Sequence, residues 1–294
     1  MIDPQGSFEW LGDEPMLHEP LLVVMLTGWI DAAGAGAAAA AALSKECETS
    51  PILRFDDDTF IDFRARRPTM ELRDGINTDL VWSTIELRAG RSSSGRDVLV
   101  LTGPEPDMAW HRFARAVSDI SVELGVTKMV AFGAYPFAAP HTRTPRLSCS
   151  SPSTEVLANV TFARSSVDVP AGMAAALEHA LHARRIPAIG IWVQVPHYVV
   201  AMPYPAASVA LLDGLTEVTG IEVAATDLRK AVGQQRIRID AGIDGNADHL
   251  GMLRQLEELY DASIDGEVTP GPAMEMRSGD ELADEIQAFL RDQD

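Results

Sequence analysis

Six polar residues have types and positions that could support chemistry near the ends of predicted strands. His141 and Arg143 lie in the loop PHTRTP, where the prolines limit the freedom of the backbone. A histidine can transfer a proton near neutral pH, and an arginine can bind a carboxylate or a phosphate. Arg143 could equally form an ion pair that locks the loop, and both interpretations stay open. The candidate cleft residues are Asp31, Glu105, Asp107, His141, Arg143 and His197.

The acidic members of this set also have structural interpretations. Asp31 stands just before an alanine-rich segment, where it could cap a helix, and Glu105 and Asp107 would complement the dipole of the helix that follows them. Loops that follow parallel strands emerge at one edge of a sheet, which is where α/β proteins build their sites. We therefore expect Arg143 to contact Asp31 or Glu105, directly or through one water, with His141 beside them.

The segment GWIDAAGAGAAAAAAL (28–43) resembles a dinucleotide-binding loop, because Gly34, Gly36 and Ala39 fit the pattern G-x-G-x-x-A. However, seven residues separate Gly34 from the preceding apolar run, and no P-loop lysine follows. A close-packed helix is the favoured interpretation, in which Gly28, Gly34 and Gly36 serve helix-to-sheet packing. We expect no nucleotide and no other cofactor.

The sequence predicts neither a metal site nor a catalytic nucleophile. FDDDTFIDF (55–63) clusters four aspartates, but it lacks the calcium-loop pattern, and such acids more often cap turns or pair with nearby arginines. Ser148, Cys149 and Ser150 lie near His141 in the sequence without a G-x-S-x-G nucleophile elbow. For His197, a structural hydrogen bond is preferred to a catalytic role.

The composition restricts the possible partners and the compartment. The formal net charge of −19 would repel a phosphate backbone or an anionic membrane, so neither is expected as a partner. The two cysteines, Cys47 and Cys149, form no disulfide framework, and the N-terminal residues lack the pattern of a signal peptide. A cytoplasmic location is therefore predicted.

Apolar runs alternate with helical patterns along the first 220 residues. This alternation predicts a three-layer α/β/α sandwich with a mainly parallel sheet. The predicted strands span residues 21–26, 52–55, 80–87, 97–101, 129–132 and 188–195, and the helices span residues 106–124, 170–185 and 206–218.

The pattern changes after about Gly220, where no further strand is predicted. Helices are predicted over 226–232 and 247–260, followed by a Gly/Pro linker at 266–272 and a last helix with an apolar stripe from Leu282 to Leu290. These features divide the chain into a core domain, 1–220, and a helical C-terminal extension, 221–294.

Several of these motifs, taken in order, resemble the proteasome assembly chaperone 2 (PAC2) family in its longer actinobacterial form. The motifs are GWIDAAG (28–34), FDDDxFxD (55–62), RP (67–68), GPEPDxxW (103–110), PHTR (140–143) and PHY (196–198). The resemblance covers roughly residues 18–220. It implies a phosphorylase- or hydrolase-like three-layer core, self-association, and action as a chaperone on a protein client.

Two functional hypotheses follow. The first is a non-enzymatic, oligomeric interaction protein that resembles a proteasome assembly chaperone. The alternative is a binder of a nucleoside- or phosphate-like small molecule, or a hydrolase or phosphorylase, that uses the cleft at the strand ends. The absence of a recognisable nucleophile, metal set or phosphate loop favours the first hypothesis.

Overall fold

The computed structural model describes residues 6–244 and 246–264. The predicted linker at 266–272 and the last helix lie outside the described residues. The strands are β1 (Phe8–Trp10), β2 (Leu21–Thr27), β3 (Ser50–Phe55), β4 (Thr69–Arg73), β5 (Ile76–Val81), β6 (Glu86–Arg91), β7 (Asp97–Pro104), β8 (Lys128–Phe137), β9 (Leu147–Ser150) and β10 (Ala188–Pro196). The helices are α1 (Ala35–Glu46), α2 (Asp57–Phe60), α3 (Trp110–Glu123), α4 (Thr154–Ala158), α5 (Met173–Ala183), α6 (Pro205–Thr219), α7 (Thr226–Asp244) and α8 (Ala247–Ile264).

Eight strands form one mixed sheet in the order β1-β3-β6-β7-β2-β8-β10-β9. The four central strands, β7, β2, β8 and β10, pair in parallel, and the pairs toward both edges are antiparallel. The parallel centre explains why these strands read as continuous apolar runs, since both of their faces are covered.

Helices cover both faces of the sheet, which confirms the predicted three-layer sandwich. Alternate residues of β2 enter different cores. Leu21 and Val23 pack with α1 and α6, whereas Leu22 and Val24 pack with α3 and α5. Helix α7 adds to the first core through the buried Ile239 and Ile243.

The prediction of a single strand over 80–87 was wrong. Residues 80–81 end β5, and residues 86–87 begin β6. Strand β5 pairs only with β4, as a separate two-stranded sheet, and Trp82 follows it directly. The apolar residues near this boundary belong to two different sheets, a division that a hydrophobic pattern alone does not reveal.

The C-terminal part of the described chain is helical. Helix α7 is longer than the predicted 226–232, and α8 extends slightly past the predicted 247–260. Between residue 197 and residue 264, leaving out the undescribed residue 245, the structure contains no strand. Among the described residues, no helix has both the length and the apolar character needed to cross a membrane.

Candidate functional site

The four central strands are parallel, so the segments after them emerge at one edge, here called the carboxyl rim. Asp31 follows β2 there, and its carboxylate accepts hydrogen bonds from the backbone N–H groups of Gly36 (2.7 Å) and Ala37 (3.0 Å) in the first turn of α1. Burial raises the pKa of Asp31, and these two bonds oppose that shift. Asp31 therefore serves the helix N-terminus, as its position before the alanines suggested.

The carboxylate of Glu105 has a similar position at another helix. It follows β7 and accepts a hydrogen bond from the backbone N–H of Met173, the first residue of α5. Its own backbone N–H donates to the carbonyl of Thr27, which extends the pairing of β2 with β7 by one residue. Both acids thus fix helices that lie on opposite faces of the sheet.

Asp107 joins the rim to the segment before the β4–β5 hairpin. Its carboxylate accepts from the Arg66 Nε–H (3.0 Å) and from the backbone N–H of Asp62 (3.0 Å). The Arg66 guanidinium lies against Gly28, where an added Cβ would come within 2.8 Å of it. The lack of a side chain at Gly28 therefore leaves room for the Arg66 guanidinium. Gly28 does not serve the predicted helix-to-sheet packing.

Gly34 and Gly36, the two glycines of the alanine-rich segment, have different structural roles. Gly36 faces β2, and a Cβ there would lie 2.7 Å from the sulfur of Met25. Gly34 has a φ of +63°, and a Cβ there would meet nothing within 4 Å. Gly34 is thus required by the backbone conformation before α1 rather than by the close packing predicted for it.

His141 lies at the centre of a buried hydrogen-bonded group. Its Nε2 is 2.9 Å from Asp240 Oδ1 of α7, its Nδ1 is 2.8 Å from the Tyr198 hydroxyl, and its backbone N–H donates to the same hydroxyl at 2.8 Å. An imidazole protonated at Nε2 satisfies all three bonds, because Tyr198 then donates to Nδ1. The imidazole is fully buried, and burial raises the pKa of Tyr198 above its usual range.

Arg143, two residues further along the loop, pairs with α8. Its Nε–H and Nη2 donate to the two carboxylate oxygens of Asp261 at 2.9 and 2.8 Å, and its Nη1 donates to Glu257 at 3.2 Å. The hydrogen bond from Arg143 lowers the pKa of Asp261. In the same loop, the Arg146 guanidinium lies 4.3 Å from the centroid of the Tyr260 ring.

The predicted contact of Arg143 with Asp31 or Glu105 was therefore wrong. The acids that pair with the PHTRTP loop come from the C-terminal helices, whereas the rim acids bind the N-terminal turns of α1 and α5. Sequence reasoning placed Tyr198 at a strand end but missed Asp240, Glu257 and Asp261. The spacing of Glu257 and Asp261 was a usable signal, because residues four apart lie on one helix face.

His197 and Gln194 bring unpaired polar atoms to the end of β10. His197 Nδ1 and Gln194 Oε1 are both inaccessible to solvent, and neither has a hydrogen-bond partner among the described residues. The Gln194 side-chain amide donates to the Tyr135 hydroxyl at 3.3 Å. These two atoms are the best support in the described chain for a small ligand at the rim.

A buried carboxyl lies deeper on the same face of the sheet as Gln194. Glu178 of α5 is 4% exposed, and it accepts a hydrogen bond from the Ser150 hydroxyl at 3.1 Å. The Trp192 indole N–H donates to the same serine at 3.2 Å. Burial raises the pKa of Glu178 to about 8. Among the described residues, no group of three or more His, Cys, Asp or Glu side chains is arranged to hold a metal ion.

Comparison with known proteins defines the class of this chain. The PAC2 family profile matches residues 25–241, so the chain belongs to the PAC2 family. A search of curated proteins finds no significant match.

Solved structures share the fold of this chain. A Mycobacterium tuberculosis protein of unknown function is 31% identical, with a TM-score of 0.82 over 90% of this chain and 93% of that one. A Corynebacterium glutamicum protein of unknown function is 26% identical, with a TM-score of 0.83 over 89% and 99%. A proteasome-assembly chaperone homologue of M. tuberculosis is 29% identical, with a TM-score of 0.74 over 80% and 99%.

Proposed function

We propose that the protein is a non-enzymatic, oligomeric interaction protein that acts as a chaperone in proteasome assembly. Its membership of the PAC2 family and its similarity to a proteasome-assembly chaperone homologue support this role. The observation that carries the proposal is that the most reactive side chains stabilise the fold. His141 and Arg143, the best candidates for catalysis, are bound to α7 and α8 and fix the fold.

The chaperone role is tested with purified proteasome subunits. Unassembled α-type and β-type subunits from an actinobacterial proteasome are mixed with the protein, and assembly is followed by native mass spectrometry. We expect a complex with one of the two subunit types and faster appearance of assembled particles. Unchanged assembly with no complex would contradict the proposal, and serum albumin at equal concentration controls for crowding.

The proposal includes self-association. Family resemblance motivates it, and seventeen large apolar side chains are exposed among the described residues, which gives apolar surface for an interface. Light scattering after size exclusion at micromolar concentration should show an oligomer. A monomer across the whole concentration range would remove this part of the proposal.

We also propose a domain boundary near Gly220 and a cytoplasmic location. Gly220 ends α6 with a φ of +74°, and the helices beyond it bind the core through the PHTRTP loop and through the buried Ile239 and Ile243 of α7. Cys47 and Cys149 are free thiols, as expected in a reducing compartment. Limited proteolysis tests the domain boundary, and cell fractionation tests the cytoplasmic location.

A small-molecule binder remains the alternative, favoured by the unpaired buried atoms of Gln194 and His197. Thermal-shift screening against nucleosides, nucleotides and inorganic phosphate tests it directly. A saturable stabilisation that Gln194→Leu abolishes would support a ligand site at the rim. No shift with any of these compounds would leave the chaperone proposal as the better account.

A further inference from the structure

The β4–β5 hairpin is an exposed sheet that pairs with no other strand in the described part of the chain. Its two strands pair only with each other, and every residue of β5 is exposed. An isolated two-stranded hairpin is marginally stable in water. Six of the seventeen large apolar side chains exposed in the described chain lie in this short segment: Met70, Leu72, Ile76, Leu80, Val81 and Trp82.

The base of the hairpin is nevertheless fixed to the body. Arg66, three residues before β4, forms the ion pair with Asp107 at the carboxyl rim. After β5, the Trp82 ring packs edge-on against Phe63, with centroids 4.8 Å apart. Apolar exposure on an anchored element is typical of an interaction surface.

An acidic groove lies beside this base. Its volume is about 510 Å³, and Trp82 and Phe63 form part of its wall. Four carboxylates line it, from Glu9, Asp56, Asp57 and Asp58, against one guanidinium, from Arg54. Arg54 is itself paired with Glu86 at 3.3 Å, so the groove has an excess of negative charge.

Two side-chain atoms of the groove-lining residues lie beneath its surface and lack hydrogen-bond partners among the described residues. They are Oδ1 of Asp57 and Nε of Arg54, both inaccessible to solvent. Asp58 also lines the groove, is exposed, and makes no side-chain hydrogen bond in the described structure. The hairpin and the groove share Trp82, and together they form one continuous surface that is apolar on one side and acidic on the other.

We propose that the hairpin and the acidic groove together dock a segment of a partner protein in which lysine or arginine side chains alternate with apolar residues. The apolar residues would cover Met70 and Leu80, which face each other across the two strands. The basic residues would enter the groove, where the carboxylates complement their charge and the half-exposed Trp82 ring offers a cation–π contact.

The local charge of the groove argues against the other occupants of this surface. A second copy seated here would place its own acidic groove against this one, and nucleic acid would be repelled by the same carboxylates. The inference goes beyond the chaperone assignment, because it rests on the hairpin and the groove alone and specifies the chemistry of the partner.

The test uses a labelled peptide of about 12 residues, roughly 40 Å when extended, with alternating lysine and leucine. Fluorescence anisotropy measures its binding to the full chain, with a glutamate–leucine peptide of the same length as the comparison. We expect saturable binding of the basic peptide only, weakened as salt rises from about 50 to about 300 mM. Hydrogen exchange should slow within residues 54–58 and 69–82.

Matched variants separate local docking from general attraction to an acidic protein. Glu9→Gln with Asp58→Asn should weaken binding about fivefold or more, whereas Glu123→Gln with Glu258→Gln, which removes the same charge from exposed sites elsewhere, should not. Leu80→Ser should also weaken binding, and Val122→Ser on the exposed face of α3 should not. Ile76→Ser, at the hairpin tip, provides a second apolar variant with little effect on folding.

Several results would overturn the proposal. These are no binding of the basic peptide, equal binding of the acidic peptide, and equal weakening by the remote charge variants. If Leu80→Ser instead converts an oligomer to a monomer in light scattering, the occupant is a second copy and the proposed partner is wrong.

Discussion

Arg143, in the loop after β8, donates two hydrogen bonds to the carboxylate of Asp261 on α8, at 2.9 and 2.8 Å. The two residues are 118 positions apart, so this pair joins the central sheet to the last described helix. Bidentate pairing of a guanidinium with a carboxylate fixes direction as well as distance. The PHTRTP loop is therefore a binding site for the protein's own helix α8.

Replacing Arg143 with alanine should loosen α8. The helix would lose both its bidentate partner and the bond to Glu257, so amide hydrogen exchange over residues 247–264 should rise several-fold while exchange in β2 and β8 stays unchanged. Arg184→Ala, which breaks the Arg184–Asp119 surface pair, is the matched control. Unchanged exchange in α8 would show that other contacts hold the helix.

Replacing Tyr198 with phenylalanine should lower the free energy of unfolding by about 1–3 kcal/mol, because it leaves buried groups of His141 without partners. Tyr204→Phe is the matched control, since Tyr204 is buried but its hydroxyl makes no hydrogen bond in the described structure. Urea denaturation compares the two variants. Equal losses would indicate that packing, not hydrogen bonding, explains the effect.

Asp31→Ala should destabilise the chain by about 0.5–2 kcal/mol, the usual cost of removing a helix cap. The first-turn amides of Gly36 and Ala37 would lose their acceptor. Asp31→Asn keeps one acceptor oxygen and should fall between the wild type and the alanine variant. Asp168→Ala, in an exposed loop, is the control and should leave the melting temperature unchanged. If the Asp31→Ala variant has the same melting temperature as the wild type, Asp31 has no capping role.

The sequence predicted the sandwich well because its signals are local. The continuous apolar runs of β2, β7, β8 and β10 reflect burial on both faces, and the residues of each run are neighbours in the chain. The partners of the loop residues are not local. His141 and Asp240 are 99 residues apart, and nothing in the pattern of α7 indicates which side chain meets the imidazole.

A local pattern carries no information about distant neighbours, and this also explains why residues 80–87 were wrongly predicted to form one strand. Apolar residues usually indicate a buried strand, but Leu80 and Val81 are exposed on the hairpin. An exposed strand and a buried strand can contain the same short run of apolar residues. Only the arrangement of neighbouring strands distinguishes them.

Glu178 should make the stability of the protein depend on pH. Burial raises its pKa in the folded state to about 8, from a usual value of 4.5. Between these values, the folded protein retains a proton that the unfolded chain releases. The stabilisation from Glu178 is therefore complete below about pH 4.5, declines as pH rises, and is lost above about pH 8. At roughly 1.4 kcal/mol per pKa unit, the total is on the order of a few kcal/mol.

Glu178→Gln isolates this effect, because glutamine can still accept the hydrogen bond from Ser150 and does not titrate. We expect the variant to gain stability relative to the wild type as pH rises from about 5 to about 8, measured by urea denaturation at each pH. Glu217→Gln is the matched control, since Glu217 also accepts a hydroxyl hydrogen bond, from Thr161, but is exposed. Subtracting the wild-type curve from each variant curve removes the contribution of every other titrating group. A difference that stays constant with pH for Glu178→Gln would mean that this carboxyl is ionised in the folded protein at neutral pH.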